Sequence, residues 1–229
     1  FTAFPGLNRP NTEVYFTKES KGAGFTRNVG LTKANGKWLI FADADDFFNI
    51  CLNHKMDEYL DSSYDIIYFQ TNSIESISMG EIESRGKEYN KWLQNSIKRY
   101  KIKFDETLTA NDVMFSTKSG HAAKKIKIDL SYLYCSSITS GSLDLTYSEE
   151  HIWPRFDVAI KHYEFLKQIK KEQYRINIFH SLNMLRKLKE KKMYRKAFYK
   201  AYRLMGLKCF LYDFQDILKL KLSNLLWRK

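Results

Sequence analysis

The stretch from Gly22 to Phe48, GAGFTRNVGLTKANGKWLIFADADDFF, constrains this chain more than any other. It predicts a loop, a helix, a turn and a strand, with a burst of carboxylates where the strand ends. Gly22 and Gly24 give the loop its freedom. Phe25 to Ala34 has helix-compatible spacing, with Val29 and Leu31 set among polar neighbours. Asn35-Gly36 predicts the helix stop, because both residues tolerate the left-handed conformation that ends a helix. Trp38 to Phe41 is a continuous apolar run of strand length, suited to a sheet covered on both faces. Asp43, Asp45 and Asp46 come directly after it.

Such a concentration of negative charge requires a physical account. In an extended chain Asp43 and Asp45 would point to the same side, roughly 6–7 Å apart. At that range they repel by roughly 2–3 kcal/mol at an effective dielectric near 20. The nearest base in sequence, Lys37, stands at the other end of the apolar run. A hard divalent cation such as Mg²⁺ or Mn²⁺ would relieve the repulsion, held by one or two carboxylates together with substrate phosphates. The carboxyl ends of strands in open α/β sheets are also where ligands bind. The plainer alternative is that these aspartates cap a turn or the following helix.

These residues also carry a resemblance. Gly-Ala-Gly-Phe-Thr-Arg-Asn-Val-Gly-Leu, then Ala-Asn-Gly-Lys-Trp-Leu-Ile-Phe and Asp-Ala-Asp-Asp, resemble the middle of a family 2 glycosyltransferase of GT-A fold. The resemblance implies a Rossmann-like α/β mixed sheet flanked by helices, and a nucleotide-sugar donor whose diphosphate binds Mn²⁺ or Mg²⁺ at the Asp-x-Asp. By the same resemblance Asp43 contacts the donor nucleoside, Asp45 holds the metal with Asp43 nearby, and Arg27 helps bind the nucleotide. In the family a strand, a helix and a second strand normally precede this point, so the sequence reads as a fragment of a longer protein or as a truncated relative. A dinucleotide-binding fingerprint is the competing reading of Gly22-x-Gly24, with Asp43 about 20 residues on. Its third glycine is Arg27 here, where close helix–strand packing wants no side chain.

Charge divides the chain. Residues 155–229 hold 20 Lys/Arg against 6 Asp/Glu, whereas residues 1–154 hold 18 against 20. A near-neutral catalytic domain over 1–154 and a basic, helical region over 155–229 are expected. Cys51, Cys135 and Cys209 are scattered, odd in number and without metal-site spacing, which suits a reducing compartment. No apolar run approaches the 18 residues of a membrane span.

Along the rest of the chain, Glu13 to Thr17 predicts a short strand, Asn53 to Leu60 a helix, and Asp65 to Gln70 a buried strand. Lys87 to Tyr100 has the spacing of an amphipathic helix through Tyr89, Trp92, Leu93 and Ile97. Thr109 or Asn111 is placed to cap a helix starting at Asp112 or Val113, with Met114 and Phe115 turned inward. An acidic pair often stands here in the family, its aspartate acting as catalytic base. Asp112 falls on that place, while Asn111 replaces the first acidic residue. One carboxylate suffices to take a proton; the alternative for Asp112 is a simple helix cap. His121, close by, is an acceptor contact or an ordinary surface histidine. Leu130 to Ile138 predicts a strand, followed by a turn over Thr139 to Ser142. Gly141-Ser-Leu143 resembles a family segment but lacks the basic residue that often precedes it.

From Phe156 onward, Ile160, Tyr163, Leu166, Ile169, Ile176, Phe179, Leu182 and Leu185 recur at helical steps. A last amphipathic segment runs from Phe210 to Trp227. With lysines and arginines on the other faces, this region suits either an anionic membrane surface or a helical pair packed on the catalytic domain. No motif accompanies the charge, so no nucleic-acid partner is expected.

The expectation is an inverting glycosyltransferase of surface-polysaccharide synthesis. It would use a nucleotide-sugar donor and a glycan or lipid-linked acceptor, from the cytoplasm or the inner face of the cell membrane. The Gln-x-x-Arg-Trp motif of processive synthases is not found, which favours single-sugar transfer. The alternative is a non-catalytic truncated relative, a basic module that binds a membrane or partner.

Overall fold

The computed structural model describes residues 10–16, 21–74, 91–95, 102–137, 148–189, 191–208 and 211. Strands β1 (Phe47–Phe48), β2 (Ile66–Ile74), β3 (Lys91–Asn95) and β4 (Ile126–Ser137) form one sheet in the order β1-β4-β2-β3. The central β2–β4 pair is parallel, and β1 and β3 join it antiparallel. The helices are α1 (Gly22–Lys33), α2 (Leu52–Tyr59), α3 (Val113–Ala122), α4 (Glu149–Gln168), α5 (Ile178–Lys187) and α6 (Lys191–Met205), with a 3₁₀ turn at Glu172–Tyr174. This is the mixed α/β class expected, with helices flanking the sheet and a helical unit after it.

The alternation of β2 builds a core on each face of the sheet. Ile67 and Phe69 point to one side and pack with Tyr59, Leu133 and the α2 residues Leu52 and Met56. Ile66 and Tyr68 point to the other, against Phe104, Phe115 of α3 and Leu31 of α1. Helices α4 to α6 share a third core around Phe156, Ile160, Tyr163, Phe179, Leu182, Leu185, Ala197 and Ala201. The helical periodicity after Phe156 is therefore the pattern of buried residues.

A three-residue excess in β4 sets the course of its second half. Phe69 pairs with Asp129, Gln70 with Tyr132 and Thr71 with Tyr134, so Leu130, Ser131 and Leu133 have no β2 partner. The Asp129 carboxylate accepts the Ser131 N–H at 2.8 Å, replacing a ladder bond. Bulges of this kind re-aim the strand beyond them. Here the second half of β4 turns toward β1 and carries Tyr134 to the aspartate turn.

Several expectations are corrected. Trp38 to Phe41 forms no ladder among the described residues and is only partly buried. Its side chains anchor it instead: the Trp38 indole donates to the Tyr59 carbonyl at 3.1 Å, and the Phe41 ring meets Phe104 and Phe115 edge-on. Gly22 and Gly24 form the first turn of α1 rather than a loop. That helix stops because Ala34 turns extended, and neither Asn35 nor Gly36 is left-handed. Within the predicted helix of Lys87 to Tyr100, residues Lys91–Asn95 are a strand, because pairing with β2 overrides a helical spacing that Trp and Leu serve equally well. Residues 12–16 form no strand. Helix α4 runs straight through Pro154, so the change in composition does not fall at the end of an element. The Gly141-Ser-Leu143 segment and nearly all of Phe210 to Trp227 lie outside the described residues.

Candidate active site

The site is built on one face of α1. Gly24, Arg27 and Asn28 are spaced three and four apart, so they line up on that face. The α1 backbone lies so close to the segment before α3 that a Cβ at Gly24 would collide with the Asp105 carbonyl oxygen. Buried Asn28 completes the join like a short piece of strand. Its carboxamide oxygen accepts the Phe104 N–H at 2.8 Å, and its nitrogen donates to the Phe104 carbonyl at 3.0 Å. Arg27, fixed between these contacts, lies over the Phe104 ring with its guanidinium carbon 5.5 Å from the centroid. It donates from one nitrogen to the Asn111 side-chain oxygen at 2.7 Å and from the other to Asp43.

Asp43 opens a tight turn, since the Asp46 N–H donates to its carbonyl at 3.1 Å. The chain here is therefore not extended, and Asp43 and Asp46 turn to different side-chain partners. Asp43 is held by Arg27, and Asp46 accepts from the Tyr134 hydroxyl at 2.7 Å. The same hydroxyl accepts the Asp43 N–H at 2.8 Å. Burial and the Asp46 carboxylate push the Tyr134 phenol well above its ordinary range, against the Asp43 N–H, so it stays a neutral donor. Asp45 occupies the exposed corner of the turn. The charge repulsion argued for an extended chain is thus relieved by a turn, an arginine and a tyrosine.

Beyond Arg27 lies the segment that carries Asp112. Asn111 is buried, and its carbonyl accepts the Asp105 N–H at 3.1 Å. Ala110 is left-handed, and Asp112 stands at the N-cap of α3, exposed and without a side-chain cap bond. Capping by its carboxylate is therefore not its role in this structure. Met114 and Phe115 turn inward as expected. Helix α4 braces the segment from outside: buried Thr109 donates to the His151 carbonyl at 2.9 Å, and Lys161 lies 3.7 Å from Asp105. His121 meets the Phe165 ring edge-on, a packing contact between α3 and α4.

The family model for glycosyl transferase family 2 matches residues 3–119, just over half of the 229 residues. The chain belongs to glycosyl transferase family 2. The matched span contains Arg27, Asp43, Asp45 and Asp112. Among solved structures the chain resembles S. aureus TarS 1-349, at 20% sequence identity and a TM-score of 0.45. That likeness covers 74% of this chain and 51% of the other, so the chain spans about half of that structure's length. No curated protein matches it.

Family 2 membership brings the question of a metal. Among the described residues no three His, Cys, Asp or Glu side chains converge as a cluster that would hold an ion. An ion carried on a nucleotide diphosphate needs only one or two carboxylates from the protein. Asp45, exposed on the turn beside Asp43, fits that requirement, whereas Asp46 is turned to Tyr134. Cys135 does not fit such a role: it is buried, and its pKa is pushed up to about 11 by that burial and by nearby Cys51 and Asp46.

Two members of the site escape sequence reasoning. Asn28 carries a weak signal, since asparagine is a poor residue for a helix interior and invites a reason for being there. Tyr134 carries none, because nothing in an alternating strand marks one tyrosine as the partner of a turn 91 residues away.

Proposed function

We propose that this family 2 chain transfers a sugar, with inversion, from a nucleotide-diphosphate donor to a hydroxyl of a glycan or lipid-linked glycan of a surface polysaccharide. The observation that supports this most is the Arg27 bridge. One guanidinium holds Asp43, the proposed nucleoside contact, and Asn111, the neighbour of the proposed base. Donor and acceptor ends are thereby fixed to one side chain, as a displacement in line requires.

In this reading Arg27 and Asp43 orient the nucleotide and Asp45 holds Mn²⁺ or Mg²⁺. When bound, the ion neutralises charge that develops on the departing diphosphate. Asp112 accepts the proton of the acceptor hydroxyl as that oxygen bonds to the anomeric carbon. The bond from the anomeric carbon to the donor phosphate breaks on the opposite face, and the nucleoside diphosphate leaves with the electron pair. The exposure of Asp112 at a helix N-terminus leaves its oxygens open to an acceptor.

A panel of nucleotide sugars, offered with Mn²⁺ and assayed for binding and hydrolysis, tests the reading. At least one donor is expected to bind, and Asp45→Ala to abolish the metal-dependent part. Failure to bind or hydrolyse any donor would favour a non-catalytic basic module.

A further inference from the structure

Helix α6 divides cleanly by face. Ala197, Ala201 and Met205 are buried against α4 and α5, one helical turn apart, and Met193, Tyr194, Phe198 and Leu204 flank them. The opposite side, roughly half of the circumference, presents Lys191, Lys192, Arg195, Lys196, Tyr199, Lys200, Tyr202 and Arg203, all exposed. Every one is a cation or a tyrosine, and the helix contains no acidic residue. Lys200 pairs with Asp157 at 2.6 Å, and Lys196 lies over Trp153. Lys191, Lys192, Arg195 and Arg203 pair with no carboxylate among the described residues.

Beyond the helix, Gly206 turns the backbone left-handed and two leucines stand in solvent on either side of Lys208. Leu207 is 73% exposed and Leu211 is 63% exposed. Tyr199 and Tyr202 add rings that are 62% and 41% exposed. The apolar face of α6 itself is buried in the helical core.

We propose that this face docks on an anionic lipid leaflet. The cations supply attraction to the headgroups, the tyrosines suit the boundary where one end is apolar and the other wet, and the leucines reach the acyl layer. The leucines distinguish a leaflet from a polyanion in solution, because a phosphate backbone offers them nothing to bury against. The assignment is independent of glycosyl transfer and fails separately from it.

Flotation of the full chain with vesicles tests it. The protein is expected to float with vesicles of phosphatidylglycerol and phosphatidylcholine, not with phosphatidylcholine alone, and to be released as salt rises from about 0.05 M to about 0.5 M. Each removed cation should lower partition about fivefold. The triple substitution Lys191→Gln, Lys192→Gln, Arg195→Gln should therefore lower it about a hundredfold. Leu207→Ser with Leu211→Ser should weaken binding without changing its salt dependence, and both variants should keep the thermal midpoint and donor binding of the parent. Flotation of the triple variant like the parent, equal flotation with phosphatidylcholine alone, or no flotation would overturn the proposal. So would tight binding of a single-stranded oligonucleotide that ignores the leucine substitutions.

Discussion

At Arg27 one guanidinium serves two partners of different worth. Its pair with Asp43 is open to water on the aspartate side, which is 56% exposed, and exposed pairs contribute about 0–1 kcal/mol. Asn28 next door is buried and satisfies both backbone groups of Phe104. These neighbours should therefore separate function from stability. Asp43→Asn is expected to change unfolding free energy by less than about 1 kcal/mol while weakening donor binding. Asn28→Ala strands a buried N–H and carbonyl, and should cost about 2–3 kcal/mol. Urea denaturation of the two variants beside the parent checks this; equal losses would contradict the division.

Between elements, the decisive contact is the close approach of α1 to the segment before α3. Gly24→Ala pushes the two backbones apart, and overpacking of this kind costs about 1–3 kcal/mol. A thermal melt reads the loss, and an unchanged midpoint would show that the approach is loose. The same contact shows what a sequence reveals of its site. Asp43, Asp45 and Asp112 are legible as candidates because they follow an apolar run or open a helix, whereas Arg27 lies inside α1 and is singled out by the family resemblance alone. The extended-chain account of the aspartates does not hold, since the turn at Asp43–Asp46 depends on Tyr134 from a distant strand. Likewise the apolar run at Trp38–Phe41 has the composition of a strand, but a ladder needs a neighbour, which residue spacing does not report. Lys91–Asn95 erred in the other direction, gaining a neighbour that its spacing did not announce. The helical unit was legible because its cores are local in sequence, built within residues 152–205.

At the scale of the whole molecule, two buried titratable groups among the described residues make stability respond to acid. His162 on α4 is buried and accepts the Ile176 N–H at 3.4 Å, and burial lowers its pKa. The unfolded chain then binds the proton first, so stability is lost as pH falls below about 6.5. Asp129 at the bulge behaves otherwise. Burial pushes its carboxyl up, but hydrogen bonds from Ser131, Tyr59 and Lys55 outweigh that and hold it at about 2. Its contribution is complete above about pH 4 and lost as pH falls toward about 2. Urea midpoints across pH 2–8 should therefore show two descents on acidification. His162→Gln should flatten the upper one, and Tyr59→Phe, which removes the 2.6 Å bond to Asp129, the lower. A single descent near pH 4, unaltered by His162→Gln, would contradict the assignment of the upper step.

In the proposed mechanism Asp112 joins these scales: it stands at the end of one helix, in a segment braced by another, and would act on a substrate bound by a third element. Donor affinity and transfer rate, measured together in Asp112→Ala, test the central claim most directly. The account predicts that affinity for the nucleotide sugar is kept while transfer falls about 10²–10⁴-fold, the contribution of a general base. Transfer at the parent rate, or affinity lost in step with rate, would contradict it.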